Sequence, residues 1–218
     1  MQDFAAARFH MVEGQIRPNK VTNPALVDAM MTLPRELFVP AGRRPMAYVD
    51  EDLPLGGGRY LMEPMVFARL VNELAPEKNT VVLNIGGATG YAAAVLSRLA
   101  GTVFMLESDA ALAAQASANL KAVEADNAVV VHGTLGDGLP GQAPFDAILI
   151  EGAVAEVPEA LTAQLAEGGK LVAVVAPRSG LSRATVFEKI GGTLSRRELF
   201  DAGCPYLAGF EPRSGFTF

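Results

Sequence analysis

Residues Thr80 to Ser97 read TVVLNIGGATGYAAAVLS, an apolar run broken by Gly86-Gly87-Ala88-Thr89-Gly90 and followed by alanine-rich, helix-forming sequence from Tyr91. A strand that turns into a helix in this way presents free backbone N–H groups at the helix start, which suits a nucleotide-like ligand. Glu107 closes the next apolar run, TVFMLE, 17 residues beyond Gly90. At that offset a carboxylate accepts hydrogen bonds from both hydroxyls of a ribose. Two plainer readings stand beside these. The turn needs glycine only for packing, or Glu107 is a solvated strand end.

The dinucleotide pattern G-x-G-x-x-G fails here, because from Gly86 its required positions hold Gly86, Ala88 and Tyr91. The other common ligand of such a turn is S-adenosylmethionine. Its methyltransferases carry an acid two positions before the first glycine and then G-x-G-x-G, a frame that reads Asn84, Gly86, Ala88, Gly90 in this chain, with Gly87 between. S-adenosylmethionine, with S-adenosylhomocysteine as product, is the expected cofactor, and a nicotinamide cofactor is the weaker alternative.

Other chemistries have less to work with. One cysteine, Cys204, forms no internal disulfide, and with His10 and His132 it gives no metal-ligand spacing, so no metal is expected. A net charge of −6 without a long basic run argues against a nucleic-acid partner. Apolar runs end well short of the ~18 residues that a membrane span requires, and MQDFAAARFH lacks the regions of a secretory signal. A cytoplasmic protein without a membrane partner is expected. The sequence leaves the oligomeric state open.

For the turn and Glu107 to face one ligand, adjacent parallel strands must carry them, and the chain supplies the series. TVVLNI, TVFMLE, AVVVH, AILIEGA and KLVAVVAP alternate with helix-like stretches, including one opened by Pro158. ATVFEKI and TLSRRELF, joined by Gly191-Gly192, predict an antiparallel hairpin. The expected fold is α/β and Rossmann-like, a mostly parallel sheet closed by a C-terminal antiparallel hairpin. The first ~75 residues read as helical, with Asn23-Pro24 and Glu63-Pro64 as helix starts. We therefore expect one domain over residues 1–218. Residues 1–76 form an N-terminal helical cover with the substrate loop, and 77–218 form the cofactor-binding core. The phenylalanines of the terminal GFTF pack on the sheet edge or on a second subunit.

Several segments carry a resemblance to a known family. LPRELFVP, AYVDEDLPLGGG, IGGATGYAAAVLSRLA and APFDAILIEGAVAEVPEALTAQLAEGGKLV are similar, in order, to motifs of the protein-L-isoaspartate O-methyltransferases. The resemblance implies transfer of a methyl group from S-adenosylmethionine to the free carboxylate of isoaspartyl residues in damaged proteins or peptides. It also implies a substrate loop, G-x-G-Q-T-I-S-x-P in the family, that falls on Gly56 to Pro64. Tyr60 then stands for the threonine and Met62 for the serine. Methionine has no proton to donate.

The departures from the family pattern gather around the same crevice. Asn84 replaces the motif's acid and leaves the ligand's ammonium a neutral partner; Ala88 replaces the middle glycine. The family's G-D-G falls on Gly133-Thr134-Leu135, making Thr134 the adenine neighbour, unless a three-residue shift brings in Asp137. Glu151 stands where the family has a small or hydroxyl residue. It is a general base for another acceptor, a partner of Arg59 or the cap of a nearby helix. If Glu63 and Glu151 are both ionised, an acceptor carboxylate ~4 Å from one of them meets about 4 kcal/mol of repulsion at an effective dielectric near 20. The fold is expected intact and the acceptor chemistry altered. A catalytically impaired member that acts by binding, and a methyltransferase with a different acceptor, are the alternatives.

Overall fold

The computed structural model describes residues 3–212. Helix α1 (Phe4–Met11) starts at Asp3, whose carboxylate accepts from Ala6 N at 3.0 Å, and runs on into a π turn over Val12–Ile16. Helix α2 (Pro24–Thr32) starts at Asn23, whose side chain accepts from Ala25 N and Leu26 N while Pro24 fills the first helical position. After two short 3-10 stretches, where the sequence predicts helical cover and loop, comes a pair of strands. Strands β1 (Leu53–Gly56) and β2 (Arg59–Leu61) form an antiparallel hairpin. Leu53 and Leu61 are cross-strand partners, and both are buried. Gly57 and Gly58 turn the chain at positive φ (58° and 73°), a conformation that costs a side-chain-bearing residue about 1–2 kcal/mol. Helix α3 (Pro64–Leu74) follows, burying Val66, Phe67, Leu70, Val71 and Leu74 on one helical face.

The remaining elements form the expected series. Strands β3 (Val81–Ile85), β4 (Thr102–Glu107), β5 (Ala128–His132), β6 (Phe145–Val154) and β7 (Leu165–Val175) pair in parallel, and β8 (Arg183–Ile190) and β9 (Thr193–Asp201) close the sheet antiparallel. The seven-stranded sheet has the order β5-β4-β3-β6-β7-β8-β9. Gly191 and Gly192, at φ 58° and 73°, make the two-residue turn that the right-handed twist of a hairpin favours. Helices α4 (Tyr91–Leu99) and α5 (Ala110–Ala122) connect β3 to β4 and β4 to β5, and the short α6 (Glu159–Thr162) lies between β6 and β7.

Alternate residues of β3 enter different cores, as the period of a strand requires. Val82 joins the N-terminal cover, α4 and α5 in one cluster; Leu83 and Ile85 join Leu161, Leu207 and Phe210 in the other. The chain winds outward from β3 in both directions, so the carboxyl ends of β3 and β6 flank the switch point where open α/β sheets bind ligands. The segment after β9 crosses this point: Ala153 N donates to Pro205 O, Leu207 N to Ala153 O and Ala155 N to Phe210 O, each at 2.9 Å. The GFTF phenylalanines lie outside the described residues. No helix among the described residues is long and apolar enough to cross a membrane.

Candidate functional site

The glycine turn sits at the carboxyl end of β3, with Gly86 and Gly90 at φ 75° and 94° and Ala88 also left-handed at φ 49°. A Cβ on Gly87 would lie 2.5 Å from Asn84 Oδ1 and 2.8 Å from Met105 Cγ, so that glycine is set by packing against its own sheet. Thr89 donates to Phe38 O at 2.6 Å, and Asn119 Nδ2 donates to Thr89 O at 2.9 Å. These bonds pin the turn between the cover and α5.

Glu107 ends β4 fully buried. Its carboxylate accepts from Ala88 N and Ser108 N at 2.8 Å and from Asp109 N at 3.0 Å. It is also clasped by Arg59 of β2, whose Nη1 and Nη2 donate to Oε1 and Oε2 at 2.8 Å each, while Nη2 also donates to Gly86 O at 2.7 Å. A carboxylate has roughly four lone-pair sites, and these donors fill them. The solvated-strand-end reading of Glu107 is overturned, and the pairing of Arg59 with Glu151 is replaced by one with Glu107. Opposite Arg59, Leu207 reaches in so far that a Cβ on Gly86 would stand 2.7 Å from its Cδ1.

Asn84 and Glu151 meet across the β3–β6 pair, where Asn84 Nδ2 donates to Glu151 Oε1 at 2.7 Å and Asn84 Oδ1 is buried without a partner among the described residues. Burial raises the Glu151 carboxyl to about 7, against the lowering effect of the Asn84 hydrogen bond and the Arg59 charge. The acid missing from β3 is thus present one strand away. Glu63 is also raised to about 7, by burial first and then by Asp50, Asp52 and Glu51. Both carboxyls therefore carry less than full charge at neutral pH, which weakens the expected repulsion of an acceptor carboxylate.

Tyr60 is 38% exposed, while Met62 is buried and its carbonyl accepts from Arg35 Nη2 at 2.7 Å. Tyr60, Met62, Glu151, Arg59 and Leu207 share a cavity of only about 10 Å³, room for about one water. On the far side of Glu107 an open recess of about 440 Å³ is lined by Ser108, His132, Gly133, Thr134 and Phe210. Thr134 borders it, whereas Asp137 lies in the turn beyond, its carbonyl bonded to Gln164. The unshifted register suits this arrangement. His132 ends β5 with Nε2 3.0 Å from Ser108 O, His10 is exposed on α1, and burial pushes the Cys204 thiol up, which leaves it inert.

Sequence reasoning assigned no role to Arg35. It is fully buried, donates from Nε to Ala47 O at 2.8 Å, stacks 4.7 Å over the Tyr91 ring and holds the loop at Met62. Its signal was an arginine inside the apolar LPRELFVP.

A family model for protein-L-isoaspartate(D-aspartate) O-methyltransferase matches residues 7–204. The chain belongs to the protein-L-isoaspartate O-methyltransferase family. A protein-L-isoaspartate O-methyltransferase of Koribacter versatilis is 40% identical over 208 residues, 94% of this chain and 92% of the relative. One of Methylorubrum populi is 43% identical over 178 residues, covering 80% of this chain and 82% of its own. Among solved structures, a protein-L-isoaspartate O-methyltransferase superposes with a TM-score of 0.80 at 26% identity over 93% of this chain and 66% of that longer one. A putative protein-L-isoaspartate O-methyltransferase of Plasmodium falciparum, solved in complex with S-adenosyl-L-homocysteine, superposes with a TM-score of 0.79 over 95% of this chain and 99% of that one; at 18% identity the likeness is one of fold. The match to the family ends at Cys204, so the crossing segment that carries Leu207 lies just beyond it.

S-adenosylmethionine is the family's methyl donor, and in this structure the chain's own side chains close the crevice that would take it. Arg59 holds the carboxylate that would take the ribose hydroxyls, and Leu207 fills the space over Gly86.

Proposed function

We propose that the chain is a protein-L-isoaspartate O-methyltransferase, with S-adenosylmethionine as donor and isoaspartyl residues of damaged proteins as acceptors, working in the cytoplasm as one domain. The observation that carries this reading is the family match over residues 7–204 onto a sheet whose β3 turn and β4 carboxylate, Glu107, meet at the switch point. The residues proposed for the donor are Asn84, Gly86, Gly87, Ala88, Gly90, Glu107 and Thr134, and those proposed for the acceptor are Tyr60, Met62 and Glu151. In this assignment the chain's own groups exclude water and orient. Arg35 fixes the backbone at Met62, and Glu151, near its midpoint at neutral pH, holds or releases a proton beside Asn84.

Transfer of radiolabelled methyl groups from S-adenosylmethionine to an isoaspartyl peptide tests the reading. Turnover is expected, at least tenfold below that of a relative with the serine-bearing loop, because Met62 offers no hydroxyl. Absence of transfer at saturating donor favours the second reading, a member kept for binding. The buried Arg59–Glu107 pair is the specific observation on that side.

A further inference from the structure

We propose that Arg59 is a built-in occupant of the donor crevice, so that S-adenosylmethionine or S-adenosylhomocysteine binds only after the Arg59–Glu107 clasp opens. The inference rests on the proposed methyltransferase reading and adds a control on the donor site. Its basis is competition for one carboxylate. Arg59 is 4% exposed and approaches Glu107 in fork-to-fork geometry, with Nη1–Oε1 and Nη2–Oε2 both at 2.8 Å. Such charge-assisted bonds are about twice as strong as neutral ones. The backbone N–H groups of Ala88, Ser108 and Asp109 hold what remains of the same oxygens. A ribose diol, whose hydroxyls are neutral donors, has no free lone pair to accept it until the guanidinium leaves.

The rest of the crevice is built around the arginine. Its Nη2 also donates to Gly86 O at 2.7 Å, so the guanidinium bridges the glycine turn and the β4 acid that a ligand would bridge. Leu207 lies against the same atoms: a Cβ on Gly86 would meet Leu207 Cδ1 at 2.7 Å and Arg59 Nη2 at 3.1 Å. Between them only about 10 Å³ is left.

The clasp also couples the two halves of the site. Arg59 is the first residue of β2, and Tyr60 is the next. A hairpin shift that withdraws the guanidinium would therefore carry Tyr60 with it. The hairpin tip has room for such a shift, since among the described residues nothing lies within 4 Å of the position a Cβ would take on Gly56, Gly57 or Gly58. Arg59 thus sets whether a donor enters, from a position next to the acceptor residue Tyr60.

Calorimetric titration with S-adenosylhomocysteine on the full chain tests the clasp, using wild type, Arg59→Lys, Arg59→Gln and Arg59→Gln with Glu107→Gln. Arg59→Gln is expected to bind at least tenfold tighter than wild type, and the added Glu107→Gln to remove that gain. Arg59→Lys keeps a cation against Glu107 but loses the fork, and it is expected to fall between. Equal affinity of wild type and Arg59→Gln overturns the proposal, as does affinity in Arg59→Gln that is indifferent to Glu107. Should Arg59→Gln not fold, the lysine variant decides: affinity equal to wild type overturns the clasp and a gain supports it. Methyl transfer measured on the same variants separates the two readings. Restored binding without transfer leaves the clasp standing and removes the activity, whereas transfer by wild type with equal affinities does the reverse.

Discussion

Glu151 sits beside Asn84 with its carboxyl raised from the usual 4.5 to about 7. In the unfolded chain it releases its proton near 4.5, so between that value and about 7 the folded protein binds more protons than the unfolded one. Its contribution to stability is fully present below pH 4.5 and is lost as pH rises through about 7. Over roughly pH 5 to 8 the loss amounts to about 2–3 kcal/mol at 1.36 kcal/mol per pKa unit. Glu151→Gln keeps an oxygen to accept from Asn84 Nδ2 and removes the ionisation. Urea unfolding across that range should show wild type losing this amount relative to the variant, and parallel curves would place the titration elsewhere. The motif frame made Asn84, Glu107 and Glu151 legible as residues of one crevice, because their offsets follow from strand ends. Their partners were not legible. Arg59 was readable as a cation near Glu63 and Glu151, but its bond to Glu107 depends on a hairpin that sequence spacing did not announce.

That hairpin shows why some elements stayed hidden. β1 and β2 are only 4 and 3 residues long, too short for alternation to register, and they are held by the buried Leu53–Leu61 pair more than by strand propensity. The long parallel runs and the Gly191-Gly192 turn were readable because buried strands and left-handed turns have compositional demands of their own. The crossing segment after β9 had no such mark, since it is joined to the end of β6 and the residue beyond it through isolated bonds at Ala153 and Ala155. Its docking depends on Gly152, at φ 143°, where a Cβ would lie 2.9 Å from Leu207 Cβ and 3.1 Å from Leu207 N. Gly152→Ala should therefore cost about 2–4 kcal/mol, from backbone strain together with overpacking. Hydrogen exchange localises the damage: the amides of Leu207 and Ala153 should exchange faster while those of β4 stay protected. Uniform loss of protection would mean that the segment is part of the global unfolding unit.

For the whole molecule, donor and acceptor halves act in series, and that order decides what substitutions in the loop can achieve. Tyr60→Thr and Met62→Ser return hydroxyls to the loop, each worth about 1 kcal/mol in binding and more if aimed at the transition state. Glu63→Gln and Glu151→Thr remove two carboxyls that are each raised to about 7 and so are only partly charged at neutral pH. From the loop alone these four changes look sufficient to restore isoaspartyl methylation. They leave Arg59 on Glu107 and Leu207 over Gly86, so donor entry still waits on the clasp and limits what the improved loop can add. The fourfold variant should accordingly gain no more than about threefold in methyl transfer at subsaturating donor, while the same variant with Arg59→Gln should gain at least tenfold over wild type. Neighbouring effects of this kind do not add, and the size of the non-additivity is the measurement. A tenfold gain from the four loop changes with Arg59 in place would mean that the clasp opens freely in solution and that the loop alone limits the reaction.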